Sequence, residues 1–86
     1  MPKLVIVHPR IYERHPEIEE KDVTIAWKNA IAMHRRNYDP PDYYAAAGLD
    51  SKNRMLEMVG VEIEGGGIII FHATKLTSKM KAELGL

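Results

Sequence analysis

Arg54, Glu57 and His72 are the residues of this 86-residue chain whose types and spacing point to chemistry. They lie in the stretch RMLEMVGVEIEGGGIIIFHAT, which reads as two strands joined at Glu64-Gly65-Gly66-Gly67. A charged or titratable side chain in a strand that should be core costs free energy unless it is paired or functional. If Gly65-Gly66 is a two-residue turn, Glu64 faces Gly67, Val59 faces His72 and Glu57 faces Thr74. Glu57, Val59, Val61, Ile63, Ile68, Ile70 and His72 then share one face, and Glu57 and His72 are diagonal neighbours. A slip of one residue would put the two on opposite faces. As neighbours they make either a general acid/base pair or a structural hydrogen bond at the end of a sheet, because a carboxylate orients an imidazole and favours its charged form. Arg54 is either placed to stabilise a developing phosphate charge or is a solvated arginine after a turn.

Other cationic groups could join them. Arg14-His15 precedes a helical pattern, and a helix start with nearby Arg and His attracts phosphate; a capping turn is the alternative. His34-Arg35-Arg36 clusters near an expected helix end, where it complements the dipole or contacts an RNA backbone. Lys75, Lys79 and Lys81 form a solvated face or a phosphate patch on a last helix. Tyr43-Tyr44 begins a strand, so one ring points to each face, and the ring outside the core could stack on a base or a partner. No metal site is expected: His8, His15, His34 and His72 lack close ligand spacing, and the chain has no cysteine. Gly65-Gly66-Gly67 leads into a strand rather than a helix, so it is not a phosphate loop.

The elements that must position these residues follow from periodicity and breakers. Lys3–Val7 is a short apolar run, an edge strand or an ordered arm, ended by His8-Pro9. Pro16 and the acids after it mark a helix start, and Val23, Ala26, Trp27, Ala30 and Ile31 form its apolar stripe, with Trp27 as main anchor. Met33–Asn37 is a possible short strand and Asp39-Pro40-Pro41-Asp42 a turn. Tyr43–Leu49 reads as a strand despite its alanines, followed by the polar turn Asp50–Asn53 and the hairpin Met55–Glu64 and Gly67–Thr74. Lys75–Leu84 reads as a short helix, with Gly85 available as its cap. The order (β)–α–β–β–β–α predicts an α+β fold: a small antiparallel meander of three or four strands, packed with an N-terminal amphipathic helix and a short C-terminal helix. Two short helices barely cover both faces of the hairpin, so part of the sheet is expected to be open to a partner.

Residues 1–86 make one domain, and a chain of this size buries only about 60% of its unfolded surface. Met1-Pro2-Lys3 leads into just Leu4–Val7 before polar residues, so no signal peptide is expected. Nothing approaches the roughly 20 apolar residues of a membrane span, so a cytoplasmic protein without membrane contact is expected. Formal net charge is zero, which argues against strong non-specific nucleic-acid binding.

Taken together, Arg14-His15 before a helix, Gly48-Leu49-Asp50, Arg54-Met55-Leu56-Glu57-Met58-Val59, Ile70-Phe71-His72-Ala73 and Lys79 on a last helix resemble the layout of BrnT-like toxins of bacterial type II toxin–antitoxin pairs. The resemblance covers roughly residues 12–82. It implies a RelE-type fold and a metal-independent ribonuclease that blocks translation and is neutralised by a cognate antitoxin, as a heterotetramer or homodimer. Glu57, His72 and Arg54 would be the catalytic residues; Arg14, His15, Lys79, Arg35 and Arg36 would contact RNA. Arg54 and Lys79 would neutralise phosphate, and one of Glu57 and His72 would take the ribose 2′-OH proton while the other assists the leaving group. No cofactor is implied, since the 2′-OH is the nucleophile. A different class of function also fits: a non-catalytic interaction module binding a partner through an exposed face or edge strand.

Overall fold

In the computed structural model, which describes residues 4–86, the chain runs β1 (Val5–Val7), α1 (Arg10–Arg14), α2 (Glu20–Lys28), β2 (Ala30–Arg35), β3 (Tyr43–Leu49), β4 (Met55–Glu62), β5 (Ile68–Lys75) and α3 (Ser78–Leu84). The fold is α+β. Among the described residues the strands form one mixed sheet in the order β1-β5-β4-β3-β2. β2 to β5 are the expected antiparallel meander. Two features differ from the three- or four-stranded expectation. The apolar run Val5–Val7 is a true edge strand, pairing parallel to β5 over Ile68–Ile70; Lys3, where that run was expected to start, lies outside the described residues. A further helix, α1, follows it. Pro9 sits at the α1 N-cap with helical dihedrals, where its missing N–H costs nothing.

Helix α2 begins at a capping box: the Glu19 side chain and the Asp22 side chain each take the other's backbone N–H. Ile18, just before the cap, and Val23 are both buried in the main core, the arrangement of a hydrophobic staple. The helix stops at Lys28, short of the expected Ala30-Ile31. Asn29 caps it and ties it to β3 through Nδ2 donating to the Leu49 carbonyl at 3.3 Å. Ala30 and Ile31 instead open β2, with Ile31 unpaired at an irregularity between Ala30 and Ala32 and exposed. Val23 and Ala26 are the fully buried anchors, whereas Trp27 packs at the rim of the core. His34, Arg35 and Arg36 consequently belong to an edge strand and its exit, not to a helix end.

The two faces of the sheet carry different cores. Leu56, Met58, Ile70 and Ala73 face α1 and α2; Val59 and Ala45 face Met80 of α3, with Phe71, Leu76 and Leu84 around them. The alanines of β3 fit between these layers, and all three are fully buried. Gly48 marks the closest approach: a Cβ there would come within 2.0 Å of the Ala26 carbonyl oxygen of α2.

The hairpin turn differs from the two-residue reading. Ile63 donates to the Gly67 carbonyl, so Glu64, Gly65 and Gly66 form the loop, with φ of 90° and 89° at the two glycines. Near the turn the pairing is therefore Glu62 with Ile68 and Gly60 with Ile70, which moves Ile68 and Ile70 to the α2 face. Phe71 is an extra residue, a β-bulge that shifts the register between Gly60 and Val59. Beyond it Val59 pairs with His72 and Glu57 with Thr74, as the two-residue turn would also have given. The bulge thus puts both Phe71 and His72 on the α3 face. Among the described residues no helix is long and apolar enough to cross a membrane.

Candidate active site

β4 and β5 bring Glu57 and His72 together diagonally on the α3 side of the sheet. Glu57 Oε2 lies 2.8 Å from His72 Nε2. Glu57 Oε1 accepts the Thr77 backbone N–H at 2.9 Å and the Thr77 hydroxyl at 2.6 Å. Thr77 is also the N-cap of α3, its Oγ1 accepting the Met80 N–H at 3.2 Å. The Glu57 side chain is 7% exposed and the His72 ring 39%, so the dyad is buried at its carboxylate end and open at its imidazole end. Burial pushes the Glu57 carboxyl up, but the hydrogen bonds from Thr77 and His72 outweigh it and hold the carboxyl below its ordinary value.

The dyad lines a cleft of about 390 Å³. β1 pairs with β5 only as far as Ile70, and α1 packs beside the rest of β5. α1 therefore supplies one wall of the cleft and α3 the other. Arg10 and Arg14, four apart on α1, both reach it. His15, the α1 C-cap, lies beside them with Nδ1 3.8 Å from Glu17. Arg36 and the α3 residues Lys79 and Glu83 complete the rim, and Ile11, Val59, Phe71 and Met80 supply apolar surface.

Arg36 and Glu83 form a bidentate pair, Nε to Oε2 at 2.7 Å and Nη2 to Oε1 at 2.6 Å. Each shifts the other: hydrogen bonding to Glu83 raises Arg36, and hydrogen bonding to Arg36 lowers Glu83. Among the described residues, Arg10, Arg14 and Lys79 make no ion pair. This explains how a chain of zero formal charge has a cationic cleft. Much of its acid is spent elsewhere: Asp22 and Asp50 on Arg54, and Asp42 on Arg35.

Of the residues singled out from the sequence, Glu57, His72, Arg14, His15, Arg36 and Lys79 converge on the cleft. Arg54 and Arg35 do not. Arg54 points to the α2 side, where Nε donates to Asp50 at 2.7 Å, Nη2 to Asp22 at 3.0 Å and Nη1 to the Glu17 carbonyl at 3.2 Å. Its donors hold α2 against the β3–β4 turn and are unavailable to a phosphate at the dyad. Arg35 pairs with Asp42 and lies over the Tyr38 ring, 4.9 Å from its centroid. Arg35 thereby answers the buried Asp42 carboxylate, which also takes the Tyr44 hydroxyl at 3.4 Å.

Sequence reasoning missed Arg10, Thr77 and Glu83. Arg10 and Arg14 after Pro9 carried a legible signal, a four-residue spacing behind a helix-starting proline. Thr77 two residues after Lys75 carried another, an N-cap residue just before the apolar Met80. Glu83 gave none, because its role depends on β2 lying beneath α3. Compared with protein-family models, with curated proteins and with solved structures, the chain finds no match.

Proposed function

We propose that the cleft binds a phosphodiester and that the chain is a metal-independent ribonuclease, the BrnT-like, RelE-type toxin of a toxin–antitoxin pair. The observation that carries this reading is the Glu57–His72 pair set among Arg10, Arg14 and Lys79, cations with no ion-pair partner among the described residues. A titratable pair supplies proton transfer. Uncompensated cations around it favour an anion and the charge that develops on phosphate during cleavage. RNA carries its own nucleophile, the 2′-OH, so these groups suffice without a cofactor. The partner in this reading is a cognate antitoxin that covers the cleft or its rim.

The test is growth after induced expression in a bacterium, with RNA integrity followed on gels, beside cleavage by purified protein in EDTA. Arrest and RNA loss are expected. His72→Ala and Glu57→Gln should abolish both, and Lys28→Ala, on the exposed side of α2, should change neither. Normal growth with intact RNA, from folded and well-expressed protein, overturns the reading.

One observation favours the second class of function. β2 is an edge strand carrying Ile31 at 61% and Met33 at 50% exposure, apolar side chains beside unpaired backbone groups. That edge suits strand addition by a partner. An antitoxin bound there is compatible with catalysis; a non-catalytic module would keep the edge and show no RNA loss.

A further inference from the structure

Glu57 and His72 look like equivalent candidates for the proton-transferring group. Their hydrogen bonds make them unequal. Oε1 of Glu57 takes two donors from Thr77, which fill both of its lone-pair directions. Oε2 takes the imidazole. The carboxylate lines the cleft only at its Oε2 end, which is turned to the imidazole, and its side chain is buried. His72 is the opposite case: Nε2 is turned inward to Glu57, while Nδ1 has no hydrogen-bond partner among the described residues and the ring is partly open to the cleft.

Thr77 decides the protonation of the whole chain of bonds. Its Oγ1 accepts the Met80 N–H, so its own hydrogen is directed at Glu57 Oε1. The backbone N–H of Thr77 can only donate. Glu57 is therefore an acceptor throughout, and an ionised carboxylate facing Nε2 requires a hydrogen on Nε2.

We infer that Thr77 and Glu57 are positioning residues that hold His72 in its Nε2–H form, and that His72 Nδ1 is the atom that exchanges a proton with substrate. This rests on the ribonuclease reading for its substrate but not for its geometry. In the cleavage step the 2′-oxygen–phosphorus bond forms as Nδ1 takes the 2′-hydroxyl proton. The phosphorus–5′-oxygen bond breaks, its electron pair leaves on the 5′-oxygen, and that oxygen takes a proton from solvent or from the Lys79 ammonium. Glu57 gains no proton; it stabilises the imidazolium that results. The same Thr77 starts α3, so the helix that presents Lys79 and Glu83 is fixed to the residue that sets the His72 tautomer.

The experiment is an NMR measurement of the His72 ring nitrogens in the labelled protein, followed across pH, with RNA cleavage as a second arm. The charged or titratable groups around the ring are Glu57 on β4, Arg10, Arg14 and His15 from α1 and its cap, Arg36 after β2, and Lys79 and Glu83 on α3. Near neutral pH the unprotonated wild-type ring should show the Nε2–H tautomer. Glu57→Gln should mix the two tautomers of the neutral ring, because a carboxamide can donate to Nε2 as well as accept from it. Thr77→Gly separates two roles: glycine is an acceptable N-cap for α3 and keeps the backbone donor, but it has no hydroxyl to donate to Glu57. It should leave the helix content intact, mix the His72 tautomers and reduce cleavage about 100-fold, the scale of a misplaced reacting group. Thr77→Ser should recover most of that loss.

A wild-type ring in the Nδ1–H tautomer overturns the inference, and so does a tautomer ratio that ignores Glu57→Gln. If the wild type leaves RNA intact while His72 behaves as described, the ribonuclease reading falls and the positioning assignment stands.

Discussion

Two polar clusters flank the central strands of this sheet, and they are built from the same kinds of residue to opposite ends. On the α2 side, Asp22 accepts from the Glu19 N–H, Ser51, Lys52 and Arg54, while Asp50 accepts from Arg54 and two backbone N–H groups. Both carboxylates are buried and every charge has an opposite neighbour. On the α3 side, Glu57 is just as saturated, but the groups around it are not: the imidazole it holds is partly exposed, and Arg10, Arg14 and Lys79 face the cleft with no ion pair among the described residues. A closed cluster holds elements together. An open one has capacity left for a ligand. The difference lies in which charges are uncompensated, and residue type alone does not reveal it.

The largest expected contrast comes from removing one key group on each side. His72→Ala should cut RNA cleavage by about 100-fold or more, the usual scale of a general acid–base group, with the smaller loss of stability, because Glu57 keeps both Thr77 bonds and water can take the place of the partly exposed ring. Arg54→Ala should do the reverse. It strands buried Asp50 and takes from Asp22 one of its two cationic partners, and should cost about 3–5 kcal/mol of stability, with activity of the remaining folded protein retained. Denaturant unfolding of both variants beside cleavage assays checks this; equal stability loss in the two would erase the distinction.

The closed cluster also predicts an acid limit. Burial pushes the Asp22 carboxyl up, yet hydrogen bonds from Ser51, the Glu19 backbone and Lys52 prevail, leaving it at about 2 against an ordinary 3.8. A folded-state value below the unfolded one stabilises the fold above the unfolded pKa, and that contribution disappears as pH falls from about 4 towards about 2. Asp22→Asn should therefore cost about 2 kcal/mol at neutral pH and flatten the stability profile in that acid window. Urea unfolding at pH 7, 4 and 2.5 would show a parallel profile if Asp22 were not the group responsible.

These contrasts also show what the sequence could and could not reveal. The α+β class, the meander and the strand Tyr43–Leu49 follow from local pattern, since alternation and turn residues act over a few positions. The Glu57–His72 contact was legible for a partly mistaken reason. A two-residue turn gives the right pairing at His72, whereas the protein uses a three-residue loop and recovers that pairing through the bulge at Phe71. Two local departures cancelled, and no short-range signal distinguishes that from neither occurring. Arg54 was misplaced for a different reason. Its partner Asp50 is only four residues away, but Asp22 is 32 away, so only the docking of α2 reveals that its remaining donors are consumed. Pairing status is a tertiary property, and the cleft's charge depends on it.

On the open side, Arg10 and Arg14 should act on binding rather than folding. Both are exposed and share one face of α1. If each contacts one phosphate, Arg10→Ala and Arg14→Ala should each weaken single-stranded RNA binding and reduce the salt dependence, the slope of log affinity against log salt falling by about 0.7 per contact. Arg35→Ala, on the other face and paired with Asp42, should leave that slope unchanged. A salt titration of a non-cleavable RNA is the measurement, and an equal change from Arg35→Ala would remove the distinction between paired and free cations.

The smallest effect probes the one place where the two types of cluster meet. Arg36 lines the cleft but is already paired with Glu83. Its side chain is 40% exposed and that of Glu83 26%, so solvent screens the pair and its loss should cost less than about 1 kcal/mol of stability. For binding, the pair makes Arg36 a spectator and Glu83 a guard on it. Glu83→Gln should therefore strengthen RNA binding several-fold, by releasing a guanidinium into the cleft and removing a negative charge from its rim. Arg36→Ala should weaken it, because Glu83 is then left as an unpaired carboxylate facing the ligand. If instead the pair exists chiefly to fasten α3 to β2, both variants should loosen α3 and weaken binding together. The sign of the Glu83→Gln effect separates the two, since a charge within the binding field and a mere tether predict opposite directions.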